Sequence, residues 1–308
     1  MKILWMAGVV AVAAALTFEL REVEKPPPAM AMSVQENQTP LKLAFHDKRM
    51  SPNDLELSGD LPGSSAYAGR YLTYLELLKL PQVTFTVTDD PNFQGRTEIK
   101  GVYLDELLRA LDIPGANTLI AAICDDGYEG HYSVDYRAAH HPILVLTVNG
   151  KPLTIVKRTA DGGSYGPYLV SHPSFKSRYS TLAHPEEAQI PNGVLELRFV
   201  RENQVFRAIH PQGDFAADSP QMQGYMIAKE NCFRCHNAGA YGGGKAGISW
   251  SSLGKIARNK PDYFRNYIKD PQSESPYAQM PSFPDYDDAT LAALTAYFQV
   301  VPMDAGSK

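Results

Sequence analysis

The chain has 308 residues and a net charge of −5, with 20% charged and 44% hydrophobic residues. A chain of this length exceeds what one small core supports, and two domains are expected. The acidic balance lacks the strong basic excess of nucleic-acid-binding domains, so we expect no nucleic-acid partner.

The N-terminal segment differs from the rest of the chain. Lys2 precedes an apolar run over residues 3–16, which is shorter than the roughly 20 residues of a membrane-spanning helix and is typical of a secretory signal. A polar, proline-rich stretch follows, which we interpret as a tether. Residues 1–31 are therefore assigned to a signal peptide or to an N-terminal anchor that holds the membrane through residues 1–18, and residues 32–40 to a linker. Both outcomes predict a periplasmic protein.

An α+β domain is predicted over residues 41–212. Runs rich in Val, Ile, Thr, Leu and Phe predict strands at residues 83–88, 119–124, 143–148, 153–156 and 194–199. Asn149 and Gly150 separate two of these runs, which predicts a hairpin. Apolar spacing predicts helices over residues 104–111 and 71–78.

An all-α domain is predicted over residues 218–303. A break rich in proline, glycine and aspartate covers residues 211–220, and the pattern then changes. Helices are expected over residues 220–231, 261–269 and 288–300, with no strand signal after Phe215.

Cys232, Cys235 and His236 form the strongest motif, because two cysteines separated by two residues and followed by histidine are typical of c-type haem attachment. A redox disulfide would not need His236. A four-ligand zinc site would need a second cysteine or histidine pair, and none follows His236. The motif therefore favours one covalent haem c, attached through Cys232 and Cys235, with His236 as an axial ligand of the iron.

Residues around this motif support the same prediction. Gly224 and Tyr225 lie on the helix before it, Tyr297 lies on the last helix, and Met280 stands in a proline-bounded loop 44 positions after His236. In these residues the segment 219–302 resembles a class I cytochrome c. The resemblance implies that Gly224 and Tyr225 pack against Tyr297, and that Met280 is the second axial iron ligand.

Ile248 departs from the pattern of that family, which usually has proline at this position. The family's proline carbonyl accepts the Nδ1–H of the axial histidine. Because the acceptor is a backbone carbonyl, Ile248 is expected to make the same bond.

Four short segments of the α+β domain follow the order of the molybdopterin-binding domain of the sulfite oxidase family, namely residues 101–108, 126–128, 143–153 and 166–170. Residues 84–175 therefore resemble that domain, which implies its mixed-sheet fold. The family holds molybdenum through a cysteine before the first of these segments, and residues 85–100 contain none. The family's arginine contacts to the pterin and the oxyanion are also few in this chain, where Arg96, Arg137 and Arg158 are the nearby candidates. We therefore expect no molybdopterin.

Other residues of this domain could serve chemistry or structure. Cys124 could be a relocated metal ligand, but a small buried cysteine is commoner. Histidines nearby could form a copper or zinc site, although exposed loop histidines are commoner; they are His131, His140 and His141. Asp125 and Asp126 could be acid and base groups, although aspartates commonly form turns.

Three functions follow from these motifs. The first is an electron-transfer protein without catalytic residues, whose α+β domain is a cofactor-free docking scaffold for a dehydrogenase, an oxidase or another cytochrome. The second is a molybdenum-dependent oxidoreductase fused to its own cytochrome c acceptor, which the missing cysteine argues against. The third is a module that recruits a partner enzyme.

A run of basic residues follows the haem motif and contains Lys255, Arg258, Lys260, Arg265 and Lys269. This run could steer an acidic partner or be a solvated helix face.

Overall fold

The computed structural model describes residues 43–63, 69–158 and 162–302. The signal peptide or anchor and the linker, predicted at residues 1–31 and 32–40, lie outside these ranges. The described residues belong to one unit that begins at Pro40. Within them, none of the helices has the length and apolar character that crossing a bilayer requires.

Strands occupy the described chain up to residue 201 and build a mixed sheet. They are β1 (Leu55–Gly59), β2 (Arg70–Leu72), β3 (Val83–Val87), β4 (Thr97–Tyr103), β5 (Thr118–Cys124), β6 (Glu129–Tyr132), β7 (Ile143–Val148), β8 (Lys151–Pro152), β9 (Tyr168–Ser171), β10 (Ser180–Thr181), β11 (His184–Pro185) and β12 (Asn192–Arg201). The main path of the sheet runs β2-β1-β12-β9-β7-β4-β3, with β5 joined to β12 and β6, and β8 joined to β7. β1 pairs with β12 in parallel, whereas β5 and β9 pair with β12 antiparallel. β10 and β11 form a separate two-stranded ladder.

Helices are short in the first part of the chain and dominate after residue 219. They are α1 (Tyr74–Leu77), α2 (Leu104–Ala110), α3 (Val134–His140), α4 (Glu202–Arg207), α5 (Pro220–Glu230), α6 (Trp250–Asn259), α7 (Pro261–Lys269), α8 (Pro271–Glu274) and α9 (Asp288–Gln299). Between residues 220 and 302 the structure has helices and loops and no strand. The predicted combination of an α+β part and an all-α part is confirmed.

The helices of the second part begin where side chains cap them. Ser219 accepts a hydrogen bond from the Met222 amide, and Pro220 then occupies the first turn of α5. Asp287 accepts from the Thr290 amide at the start of α9. Such caps satisfy amides that have no partner within the helix, and proline fits the first turn because its missing N–H is not needed there.

Two local predictions were wrong. Residues 153–156 were predicted as a strand, but Leu153–Ile155 form a 3₁₀ turn because the hairpin ladder with β7 ends at Pro152. Residues 71–78 were predicted as one helix, but the segment divides between β2 and α1, where Thr73 caps the helix. The Asn149-Gly150 hairpin is confirmed, and both residues have positive φ, as a tight hairpin turn requires.

Strand β5 connects the sheet to the helical part. Ile120 and Ala122 point into the core between the sheet and α2, whereas the alternate residues Leu119 and Ala121 pack into the core formed by the helices. Val205 of α4 and the residue Ile209 that follows it join the same helical core. The two parts therefore share buried apolar surface, as the period of two in a strand allows.

His172 predicts an acid sensitivity of the sheet domain. Its Nε2 accepts a hydrogen bond from the Tyr136 hydroxyl at 2.9 Å, and burial, with a smaller effect of His140, lowers its pKa to about 3. The unfolded imidazole binds a proton below about pH 6.5, whereas the folded one stays neutral, so stability falls as the pH is lowered from 6.5. Between pH 7 and pH 5 this group should lower the free energy of unfolding by about 2 kcal/mol.

Urea unfolding at pH 7 and pH 5 checks this prediction with His172→Gln, which keeps a hydrogen-bond acceptor but does not titrate. The variant should lose about 2 kcal/mol less than the wild type on acidification. His46→Gln, at an exposed position, is the control and should behave as the wild type. If His172→Gln and the wild type lost the same free energy of unfolding on acidification, His172 would not be the source of the acid sensitivity.

Candidate haem site

The two cysteines and the histidine of the motif lie in one tight turn. Helix α5 ends at Glu230, and Cys232–Arg234 then form a 3₁₀ turn. The amides of Cys235 and His236 both donate to the Cys232 carbonyl, at 3.1 and 3.0 Å. Both thiols are free, so the turn presents two thiols and an imidazole together, as the motif predicts.

His236 is oriented by a backbone carbonyl. Its Nδ1 lies 3.0 Å from the Ile248 oxygen, so Nδ1–H donates there and Nε2 is left to bind a metal. Burial lowers the pKa of His236, although the bond to Ile248 opposes that shift. A neutral imidazole with one nitrogen fixed is the form that ligates iron. The bond expected of Ile248 is present, and this donor set fits a c-type haem.

Burial raises the pKa of both thiols of the motif. Burial, together with the neighbouring Cys235, raises the pKa of Cys232 to about 12, and burial also raises the pKa of Cys235. A reactive dithiol needs a lowered thiol pKa. The shift of both thiols has the opposite direction.

Met280 lies in the loop between α8 and α9. Its carbonyl accepts from the Gln272 side chain at 3.3 Å, and the Phe283 amide donates to the Ile268 carbonyl at 3.2 Å, which ties the loop to α7. The Met280 side chain is half-buried and packs against the same core as Cys232. The structure thus places Met280 and the motif on one core, and its role as a ligand stays a prediction.

Helices α5 and α9 cross closely behind the motif. A Cβ at Gly224 would lie 2.1 Å from the Ala293 carbonyl oxygen. The rings of Tyr225 and Tyr297 lie 5.7 Å apart, and Trp250 donates from Nε1 to the Tyr297 hydroxyl at 2.9 Å. The packing that the cytochrome resemblance implied for Gly224, Tyr225 and Tyr297 is confirmed.

The sheet domain contacts the motif directly, which the sequence did not predict. The Gly127 carbonyl accepts from the amides of Gly244 and Lys245 at 2.9 and 3.2 Å. The ring of His131 stacks on Phe233 with centroids 4.9 Å apart and planes at 19°. We call residues 232–245, the turn and the chain that follows it, the haem-attachment loop. The hairpin formed by β5 and β6 therefore covers one side of this loop.

Arg234 forms a third contact between the turn and the sheet domain. Its guanidinium donates to Glu187 at 3.1 Å and interacts electrostatically with the Tyr128 hydroxyl. The sequence offers no signal for this arrangement, because a charged residue inside the motif is equally compatible with full exposure.

Three candidate residues of the sheet domain, Cys124, Arg137 and Asp126, have partners within the protein. Cys124 is buried in the sheet core. Burial raises the pKa of its thiol, which disfavours the thiolate form that binds metals. Arg137 is buried and donates to Asp105 at 2.7 Å and to the carbonyl groups of Thr118, Tyr132 and Gly115. Asp126 pairs with Lys245 at 2.5 Å.

The expectation that the histidines near Cys124 lie exposed in loops is wrong for two of them. His131 and His140 are buried, because each has a carboxylate partner: Glu129 at 2.9 Å from His131 and Glu186 at 3.0 Å from His140. His141 is exposed. Within the described ranges, no group of three or more His, Cys, Asp and Glu side chains has metal-binding geometry.

Comparison with known proteins identifies the helical part. The profile of the family "Cytochrome C oxidase, cbb3-type, subunit III" matches residues 219–298. No curated protein matches the chain.

A solved structure with partial similarity is the sulfane dehydrogenase SoxCD from Paracoccus pantotrophus, at 17% identity and a TM-score of 0.33, over 50% of this chain. The chain spans 40% of the SoxCD chain that it matches, and a likeness of that size assigns no activity. The family match and the haem-attachment turn agree on the helical part. Residues 219–298 form a cytochrome c domain, joined in one chain to a mixed sheet.

Proposed function

We propose that the protein is an exported mono-haem c-type cytochrome that transfers electrons to or from a redox partner protein. The observation that carries the proposal is the turn that holds two free thiols beside an imidazole whose Nδ1–H already bonds to Ile248. The cytochrome c profile over the same residues supports it.

Each residue of the site has a separate role in this proposal. Cys232 and Cys235 hold the haem by thioether bonds, and the group supplies a one-electron iron couple when bound. The Ile248 carbonyl orients His236, and Met280 adds a thioether ligand, which raises the reduction potential. The buried rings of Phe233 and Trp250 exclude water from the core behind the turn.

The sheet domain acts in this proposal as a docking scaffold without a cofactor. Residues 85–100 contain no cysteine, and Cys124 is enclosed in the sheet core. Arg137 donates to backbone carbonyl groups of its own domain. The domain therefore offers no accessible thiolate for molybdenum. Arg137, one of the three candidate arginines, uses its donors within the domain and does not offer them to a pterin.

The partner and the location follow from charge and from the N-terminal sequence. Lys255, Lys260 and Lys269 are exposed on α6 and α7 and at the junction between them, whereas Arg265 pairs with Asp288 at 3.3 Å. Exposed lysines on one domain favour an acidic redox protein as the partner. The apolar run over residues 3–16 supports a periplasmic location, with membrane attachment if that segment is retained.

Elemental analysis tests the function. The full chain is produced with a haem-attachment system, purified, and assayed for iron and molybdenum. One iron and no molybdenum per chain is the expected result. One molybdenum per chain would instead favour the alternative, a molybdenum-dependent oxidoreductase fused to its own cytochrome c acceptor, and absence of covalent haem would overturn the proposal.

Met280→Leu tests the second ligand. Leucine keeps the apolar volume but has no thioether, so the reduction potential should fall by more than about 59 mV, a tenfold change in the one-electron equilibrium. Met222→Leu is the control, because Met222 also packs against the helical core but precedes the motif. Equal reduction potentials for Met280→Leu and the wild type would show that Met280 is not an iron ligand.

A further inference from the structure

Arg234 is a charged side chain that points away from solvent into the sheet domain. Only 9% of its side chain is exposed, against 38% for its partner Glu187. Besides Glu187, Gln189 contacts the guanidinium: its amide oxygen, when turned toward donors, lies 3.1 Å from Nε and 2.7 Å from Nη2. Glu187 and Gln189 of the sheet domain therefore hold the cation that the haem-attachment turn carries, and the Tyr128 hydroxyl interacts with it electrostatically.

The surroundings of this cation do not neutralise it fully. Burial raises the pKa of the Tyr128 hydroxyl, although Arg234 opposes that shift, and burial raises the pKa of Tyr136 nearby. Both phenols are therefore neutral and supply dipoles without a formal charge. Glu187 is the formal anion of the group, and water screens a carboxylate with that exposure more than it screens the buried guanidinium.

Contacts with the sheet domain before and after Arg234 in the chain fix the position of its charge. Phe233 stacks on His131, and the Gly127 carbonyl holds the loop at Gly244. The charge of Arg234 lies one residue before Cys235 and two before His236, and the sheet domain prevents it from swinging into solvent.

We propose that Arg234 is a positioning residue through which the sheet domain raises the reduction potential of the haem. The inference rests on the proposed function. The one-electron iron couple that a bound haem would supply differs by one positive charge between its oxidised and reduced forms. The charge of Arg234 acts on both thiols of the turn, and that of Glu187 acts on Cys232 in the opposite direction. A fixed cation there would disfavour the oxidised form of a haem held by these thiols, and its carboxylate partner would have the opposite effect. The docking domain would thus set the driving force for electron transfer as well as contact a partner.

The test is a spectroelectrochemical titration of the holoprotein and four variants. Arg234→Gln should lower the ferrous-to-ferric ratio at a fixed applied potential about tenfold, which corresponds to 59 mV for one electron. Glu187→Gln should change the ratio in the opposite direction. Arg234→Lys, which keeps the charge, should lie closer to the wild type than Arg234→Gln does. Arg109→Gln removes an exposed cation of the sheet domain and should leave the ratio unchanged.

Opposite shifts distinguish a potential-setting role from a structural one, because a loosened turn would move both variants in the same direction. Shifts of one sign for Arg234→Gln and Glu187→Gln, or no shift for Glu187→Gln, would overturn the inference. If Arg234→Gln fails to fold, Glu187→Gln still decides the matter, because a raised ferrous-to-ferric ratio supports the inference and an unchanged or lowered ratio overturns it. A wild-type protein without covalent haem would contradict the proposed function instead, and the haem spectrum separates the two failures.

Discussion

Replacing both Cys232 and Cys235 with alanine should abolish covalent haem attachment. The two thiols are the free cysteines of the haem-attachment turn, and each thioether needs one of them. The third cysteine, Cys124, is buried within the sheet core and cannot replace them. Haem staining after denaturing electrophoresis should fall to background in the double variant, and each single variant should retain at most one thioether.

Cys124→Ala is the matched control for the cysteine pair. It removes a buried thiol from the sheet without touching the turn, so haem staining should equal that of the wild type. Haem that stays bound to the double variant after denaturation would show that attachment does not use these thiols. Loss of haem from Cys124→Ala at full stability would give Cys124 a role that its burial argues against.

Local signals predicted some elements well. β7 has the predicted bounds because a run that is apolar except for Thr147 lies between Pro142 and the turn at Asn149. α7 also matches, because Pro261 fits a first turn and Asp270 followed by proline stops the helix. In both places the chain's own conformational limits set the ends of the element.

Elements that depend on tertiary contacts were missed. α6 contains two serines and a glycine, which are weak helix formers, and it was not predicted. The structure stabilises it with the Ser249 cap and with buried Trp250. Similarly, His140 is buried because of Glu186, which lies 46 residues away in sequence.

The haem motif was predicted from the sequence, but its surroundings were not. The spacing of Cys232, Cys235 and His236 is a covalent requirement and is therefore visible in one chain. The contact of Gly127 with the haem-attachment loop depends on how two domains pack. One available signal was the apolar run of β5, since a strand without polar alternation is buried on both faces.

The crossing of α5 and α9 gives the second large prediction. Gly224→Ala should destabilise the protein, although alanine is favoured over glycine in an open helix by about 1 kcal/mol. The new Cβ would lie 2.1 Å from the Ala293 oxygen and 2.7 Å from Tyr297 Cβ, and neither neighbour is the flexible end of a side chain. The helices must separate, which opens the packing around Tyr297 and should lower the free energy of unfolding by about 2 kcal/mol or more.

Denaturant unfolding of the holoprotein measures this effect, and Gly224→Leu should be more destabilised than Gly224→Ala. Gly244→Ala is the control, because a Cβ there has open space around it; its free energy of unfolding should stay within about 0.5 kcal/mol of the wild type. Because α5 leads directly into the turn at Cys232, separated helices should also reduce the fraction of chains with covalent haem. A Gly224→Ala protein more stable than the wild type would mean that helix propensity outweighs the contact with α9.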